Sequence, residues 1–361
     1  MKDKITLITT NSSGSPTGLS RYSASLIDAY HKKGQSFLSS SLESHFNSSF
    51  ISFLKSFFSI DIKSFFSQYP LWFPTLKTEI IHLTNQAQCI PLNYSRKKAI
   101  VTVHDIIPFI LEREKPFYYS LIFYLMKRGI GKSCWIIADS EHTKNDLIST
   151  FQYPSERITV VPLGVNLDFF YDKKKKRDLF TILYVGSEMP RKNVELLFKA
   201  FSIVKKNFPE AKLVKVGKSQ WPGARKKLET LSQTLGISDS ILFYDKVEEE
   251  HISNLYNTAT LFVHPSYYEG FGFPLLEAMA CGCPSIVAKA TSLPEIGGNA
   301  VLYFDPTDEK GLASQISTVF KEKTLQKKLS KKGLERAKHF TWENTAEKNL
   351  QVYKKVLSKL I

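Results

Sequence analysis

The sequence predicts an α/β protein built from two successive Rossmann-like domains, each a parallel sheet flanked by helices. Three observations carry this. The chain has 361 residues, long for a single hydrophobic core. Short β-branched apolar runs alternate with helical periodicities along most of it, which is the pattern of repeated βαβ units. That alternation pauses at a basic run, Lys173-Lys-Lys-Lys-Arg177, and then starts again.

The elements follow in order. Ile5-Thr-Leu-Ile-Thr9 reads as a first strand, running into the small-residue loop 11–18 and a helix with Leu19, Tyr22, Leu26 and Tyr30 on one face. Residues 36–74 alternate serine with phenylalanine, and Phe46, Phe50, Phe53 and Phe57 fall at helical spacing. This stretch fits either a core helix or an amphipathic surface resting on lipid headgroups, and residues 116–128 carry the same ambiguity. Further strands are expected at Ile80–Leu83, Ala99–Val103, Cys134–Ala138 and Ile158–Val161. Ser140 with Thr143 marks the start of a helix reaching about Phe151.

A charged run does not bury, so residues 173–177 read as a solvated linker. The domains are therefore expected at 1–171, completed by a C-terminal helix over 342–361, and at 172–341. In the second half, strands are expected at Phe180–Val185, Ala211–Val216, Ile241–Tyr244, Leu261–His264, Pro284–Val287 and Val301–Phe304. Ala346, Leu350, Tyr353, Leu357 and Leu360 recur every three or four positions, the seam of an amphipathic last helix.

Composition narrows the partners. Hydrophobic content of 43% and charged content of 23% are globular values. No run reaches the ~18 apolar residues of a membrane span, and the apolar run at the start is too short for a signal peptide. Four cysteines without paired spacing make neither a disulfide framework nor a zinc site, which fits a reducing cytoplasm. A formal charge of +15 points to anionic partners: nucleic acid, lipid headgroups or phosphorylated small molecules.

The chain is organised around Ser266-Tyr-Tyr-Glu-Gly-Phe-Gly-Phe-Pro-Leu-Leu-Glu277. It follows a buried strand. Gly270 and Gly272 permit a tight turn and close approach of a ligand, and Pro274 suits the first position of a helix. Glu269 is expected in the loop and Glu277 in the first turn, bracketing a helix N-terminus suited to an anion. Upstream, Gly186-Ser-Glu-Met-Pro-Arg-Lys-Asn193 joins strand to helix, and His104-Asp105 ends a strand where α/β folds place ligands.

These segments, with Ser292-Leu-Pro-Glu295 and Asp305-Pro306, resemble the signatures of the retaining GT-B glycosyltransferases of the family-4 type, the glycosyl transferases group 1. The resemblance covers nearly the whole chain and is strongest from Ile158 to Pro306. It implies a GT-B fold, two Rossmann-like domains facing each other across a cleft. It also implies a nucleotide-diphosphate sugar bound mainly by the C-terminal domain and a surface-glycan or lipid-linked saccharide acceptor on the N-terminal one. By the resemblance, Glu269 meets hydroxyls of the transferred sugar and Glu277 those of the ribose. Gly270, Phe271, Gly272 and Phe273 line the sugar and diphosphate, Arg191 and Lys192 neutralise the diphosphate, and Val247 presents backbone to the base. His104 is expected to reach the sugar or acceptor, and Gly18 to lie near the phosphates.

The versions of the motifs present here are similar to those of bacterial mannosyltransferases of O-antigen and capsule assembly. GDP-mannose is thus the first candidate donor and a UDP-hexose the second. Two departures stand out: Ser187 occupies a position where many relatives carry arginine, and the N-terminal loop has only Gly14 and Gly18. With no D-x-D pair in a plausible loop, neither a metal nor another cofactor is expected. The family's usual account has front-side attack, the departing phosphate oxygen taking the acceptor's proton. The expected enzyme is cytoplasmic, with possible contact at the inner face of an anionic membrane. The rival reading is a non-catalytic protein of the same shell that binds nucleic acid or anionic lipid through its basic surface.

Overall fold

The computed structural model describes residues 5–9, 18–35, 37–40, 78–110 and 117–359. The expected aromatic helix over 46–73 therefore lies outside the described residues, as does most of the loop before Gly18. The chain divides into two compact units, one of Met1–Gly164 with Trp342–Ile361 and one of Val165–Thr341.

In the first unit the described strands are β1 (Ile5–Ile8), β2 (Leu38–Ser40), β3 (Ile80–Leu83), β4 (Lys98–Val103), β5 (Trp135–Ala138) and β6 (Ile158–Val160). They form a parallel sheet in the order β2-β1-β3-β4-β5-β6. The helices are α1 (Gly18–Lys32), α2 (Phe117–Gly131), α3 (Glu141–Phe151) and, from the far end of the chain, α11 (Trp342–Ser358). Strands β1, β3 and β5 are buried along their whole length, as parallel strands covered on both faces must be. Ser140 caps α3, its hydroxyl accepting from the Thr143 amide at 3.1 Å.

The last helix returns to this unit because its buried face completes a polar network in the core. His82 contacts Tyr353 Oη through Nδ1 at 2.5 Å and Thr102 Oγ1 through Nε2 at 2.8 Å, while Tyr30 Oη donates to Tyr353 Oη at 3.0 Å. Ala346, Leu350 and Tyr353 are buried as the spacing predicts, but Val352 and Val356 join them and Leu357 is only half-buried. The seam thus turns at its end.

Burial holds the His82 imidazole at a pKa of about 3, far below its ordinary 6.5, with nearby His104 adding to the effect. An unfolded imidazole takes up a proton below about 6.5, whereas the folded one stays neutral until about 3. The contribution is therefore complete above that upper value and is lost as pH falls through the window. Thermal unfolding followed from about pH 7 to about pH 4 should show a falling Tm, and a shallower fall in His82→Gln. Identical slopes would contradict this.

In the second unit the order of elements is β7 (Thr181–Val185), α4 (Val194–Asn207), β8 (Lys212–Val216), α5 (Ala224–Thr234), β9 (Ile241–Tyr244), α6 (Glu249–Thr258), β10 (Leu261–His264), α7 (Phe273–Ala280), β11 (Ser285–Ala288), α8 (Leu293–Gly297), β12 (Leu302–Phe304), α9 (Glu309–Lys321) and α10 (Lys323–Ala337). The sheet runs β12-β11-β10-β7-β8-β9 and is parallel. This is the doubly wound order, which reverses direction between β7 and β10 and opens a crevice at their carboxyl ends.

Two expectations about the chain between the units change. Residues 165–171 belong to the second unit: the Val165 amide donates to Phe340 O at 3.0 Å, and Asn257 Nδ2 to Tyr171 O at 3.0 Å. The basic run is also not wholly solvated. Lys174, Lys175 and Lys176 are exposed, but the Arg177 guanidinium donates to the carbonyls of Tyr256, Ala259 and Cys281 at 2.8, 2.9 and 3.0 Å. A guanidinium has five donors in a fixed fork, so it can tie three chain ends that a lysine could not.

Candidate active site

The crevice between β7 and β10 is where the organising stretch folds. The loop after β7 and the loop after β10 are stitched together. The Tyr267 amide donates to Arg191 O at 2.8 Å, and Asn193 Nδ2 donates to Pro265 O at 3.1 Å and to Pro306 O at 2.8 Å. Asn193 has a left-handed backbone (φ 54°), a conformation its short side chain tolerates better than most. This turn ends a short 3₁₀ segment, Pro190–Lys192, and points both cations toward Glu269.

Glu269 is the centre. Its Oε1 accepts from Lys192 Nζ at 2.6 Å and from His264 Nε2 at 2.8 Å, and its Oε2 from Arg191 Nη1 at 3.3 Å. Arg191 also donates to Tyr268 O at 3.0 Å. Burial alone would raise the Glu269 pKa, but Lys192, His264 and Arg191 outweigh it and hold the carboxyl well below its ordinary range. It is a fixed anion among cations. The same burial lowers the His264 pKa against the pull of Glu269.

The loop that carries Glu269 is held from behind. Thr291 Oγ1 accepts from the Glu269 amide at 3.0 Å, and Ser292 Oγ donates to Glu269 O and Phe271 O at 3.0 and 2.9 Å. Gly272 sits at φ 111°, a conformation that favours glycine, and an added Cβ would also push on the Leu293 Cδ2 methyl at 2.9 Å.

One expectation needs correction here. Helix α7 begins at Phe273, which places Pro274 second and Glu277 beyond the first turn. The cause is Gly272, whose positive φ makes it the cap and starts the helix one residue early. Glu277 is buried instead, and Tyr256 Oη donates to its Oε2 at 3.1 Å. Gly270, Phe271 and Gly272 are buried and Phe273 half-buried at this helix start. Val247 is half-buried in the loop between β9 and α6. Gly18 begins α1 in the first unit.

His104 stands at the carboxyl end of β4. Its Nδ1 meets Asp139 Oδ2 at 2.5 Å, its Nε2 meets Thr84 O at 3.0 Å, and Tyr22 packs edge-on at 4.8 Å between ring centroids. Burial opposes its protonation, yet the Asp139 carboxylate and the Thr84 carbonyl more than offset that and raise its pKa. With acceptors on both nitrogens, the ring is suited to the doubly protonated form.

Sequence reasoning missed His264, which ends β10 just as His104 ends β4; the same strand-end rule would have found it. It also missed Glu188, Lys215 and Arg225. Lys215 is buried inside β8, donating to Glu188 Oε1 at 2.5 Å, and Arg225 Nε reaches the same oxygen at 2.7 Å. Cys89, Cys281 and Cys283 are buried and Cys134 half-buried, all as free thiols, and burial pushes Cys281 up to about 12. No group of three or more His, Cys, Asp or Glu placed to hold a metal ion occurs among the described residues.

Known proteins resemble this chain in sequence and in fold. The family model described as Glycosyl transferases group 1 matches residues 168–336, and that described as Glycosyltransferase Family 4 matches 45–169. O-antigen chain mannosyltransferase B of Escherichia coli is 29% identical over 285 residues, 73% of this chain and 72% of that protein. The serotype-specific mannosyltransferase WbdA of Escherichia coli is 27% identical over 74% of this chain, which spans only 35% of that longer protein. In fold, the sucrose-phosphate synthase of Thermosynechococcus elongatus superposes with a TM-score of 0.75 at 21% identity, covering 99% of this chain and 100% of its own. HepE of Anabaena, solved in complex with UDP-glucose, gives 0.74 at 17% identity over 98% and 99% of the two chains. Two parallel α/β units that superpose on these structures are the GT-B fold of glycosyltransferases. The chain belongs to the glycosyltransferases of family 4 and group 1, whose two models together match most of it.

Proposed function

We propose that this protein is a retaining, metal-independent hexosyltransferase. It moves mannose from GDP-mannose, or failing that a hexose from UDP, to a growing surface glycan or lipid-linked saccharide. The observation that carries this reading is Glu269 gathered by Lys192, Arg191 and His264 at the start of α7. Two cations held against a carboxylate are a site awaiting a diphosphate: the donor's phosphates take over Arg191 and Lys192, and Glu269 turns to sugar hydroxyls. Charge-assisted contacts of this kind stabilise the departing nucleoside diphosphate, the electrostatic service a metal would otherwise give. The names of the curated relatives support mannose and O-antigen glycan, and the UDP-glucose complex of HepE supports a nucleotide sugar as donor.

The remaining assignments belong to the same reading. Glu277 accepts from the ribose hydroxyls while Tyr256 fixes its other contact. Residues 270–273 line the sugar and diphosphate, and Val247 offers backbone to the base. Ser187 supplies no cation, so Arg191 carries that share. His104 serves the acceptor through its Nε2, which would reach a sugar hydroxyl by exchanging the Thr84 carbonyl. The acceptor's proton leaves with the departing phosphate oxygen, and no protein nucleophile is needed. A peripheral membrane contact is served by α2, which buries Met126 and Ile130 and presents exposed Leu121, Tyr124, Lys127 and Arg128. No described helix is long and apolar enough to cross a membrane.

The test is a donor panel read by released nucleotide, with a saccharide acceptor and excess EDTA, and NMR of the product's anomeric centre. Transfer from GDP-mannose with the α configuration kept, unaffected by EDTA, is expected. Inversion at that centre, or activity abolished by EDTA and restored by a divalent ion, would contradict the mechanism.

A further inference from the structure

The second unit holds a cavity of about 510 Å³ that the donor clamp does not use. It lies between the loop after β7, the first turns of α4 and the segment entering α5. Trp221 and Tyr267 line it and are 43% and 45% exposed, large aromatic faces left open to solvent. Glu188 lines it as well, although only 4% exposed. Its Oε1 collects Lys215 and Arg225, while its Oε2 is buried and has no hydrogen-bond partner. Two large aromatic faces open to solvent beside a cavity of this size mark a ligand surface.

The cavity is separate from the donor crevice. Helix α4 packs with α9 and α5, whereas α7 packs with α10 and α8. The β7-to-β8 and β10-to-β11 crossovers run in opposite directions along the sheet, so right-handed connections put α4 and α7 on opposite faces. The two sites share one wall: Pro190 and Asn193 line the cavity, and Arg191 and Lys192 between them hold Glu269.

We propose that this cavity is a saccharide-binding groove that holds the growing glycan at a distance from the reacting end. The chemistry of the lining selects the ligand class. Pyranose rings have apolar C–H faces that stack on Trp and Tyr, and hydroxyls that donate to carboxylates. The Glu188 side chain is fully buried behind the wall and is balanced by Lys215 and Arg225, so the acceptors offered to such hydroxyls are those on the rim, Thr307 and Glu309. The exposed charges on the wall are of both signs, Glu195 and Glu309 beside Lys199 and Lys227, with Lys227 engaged by Glu195 at 2.7 Å, so the lining is not a cationic pocket that selects an anion. A neutral polyhydroxylated chain fits both features. The volume lies within the roughly 300–1,000 Å³ of small-molecule sites, enough for a short segment rather than one sugar.

The proposal rests on the glycosyltransferase reading above, so the experiment reads the two separately. A linear mannose oligosaccharide is titrated into the whole protein by calorimetry, in wild type, Trp221→Phe and Trp221→Ala, and GDP and UDP are titrated into the same three. The groove predicts saturable oligosaccharide binding in wild type, affinity kept within a few-fold in Trp221→Phe, and about a tenfold loss in Trp221→Ala. GDP affinity should be equal in all three. No oligosaccharide binding by wild type, or equal oligosaccharide affinity in Trp221→Ala, overturns the groove. So does a parallel loss of GDP affinity in Trp221→Ala, which would mark a general structural effect. Absence of both GDP and UDP binding in all three with oligosaccharide binding intact would refute the donor assignment and leave the groove standing.

Discussion

Replacing Glu269 with alanine is expected to lower turnover about a hundredfold to a thousandfold, the range for removing one preorganised polar group from a transition-state site. The residue is the common partner of Lys192, Arg191 and His264, and its carboxyl is held well below its ordinary pKa by them. It is therefore ionised at any working pH and can accept from sugar hydroxyls, but it is not a proton shuttle. Removing it also leaves two partly buried cations without a counter-charge, so the second unit should lose stability as well. Glu269→Gln helps separate the two effects, since it keeps the shape and one acceptor oxygen while removing the charge. Its steady-state rate should remain far below wild type even where its Tm recovers. A variant that turns over near the wild-type rate would remove Glu269 from the mechanism.

The second large effect falls on binding. Arg191 and Lys192 both pair with Glu269 in the loop that leads into α7, and each is mostly buried. A charge-assisted contact contributes about 1.5–3 kcal/mol, so losing both should weaken nucleoside-diphosphate affinity about a hundredfold or more. The effect should shrink as ionic strength rises, though less than for exposed charges. Unchanged affinity in Arg191→Ala/Lys192→Ala would exclude them as phosphate ligands.

Much of this architecture was legible because parallel strands are short, apolar and bounded by turn residues. Ile241–Tyr244 and Leu261–His264 were read without error for that reason. The strand Leu38–Ser40 was not, since two serines in three residues carry no apolar signal. Glu269, Arg191 and Lys192 were legible as residues that share a site. Their mutual contact was not, because pairing across 77 positions depends on the β7–β10 crevice rather than on local pattern. Lys215 was hidden by its setting: in Lys-Leu-Val-Lys-Val it reads as the solvent-facing step of an alternating strand. Only the structure supplies Glu188, whose carboxylate makes the lysine's burial tolerable. Arg177 was misread for a related reason, since a charge run announces solvent and conceals the one member that ties backbone carbonyls.

The central claim is that Arg191 and Lys192 belong to the donor's phosphates and that Glu269 occupies them only in the free protein. The most direct measurement is the GDP affinity of Glu269→Gln beside that of wild type, by calorimetry at fixed ionic strength. If the carboxylate competes with phosphate, losing its charge should leave GDP binding as tight as wild type or tighter, although turnover falls. A loss of GDP affinity as large as that in Arg191→Ala/Lys192→Ala would contradict the account, because Glu269 would then be holding the cations in place for phosphate instead of competing for them.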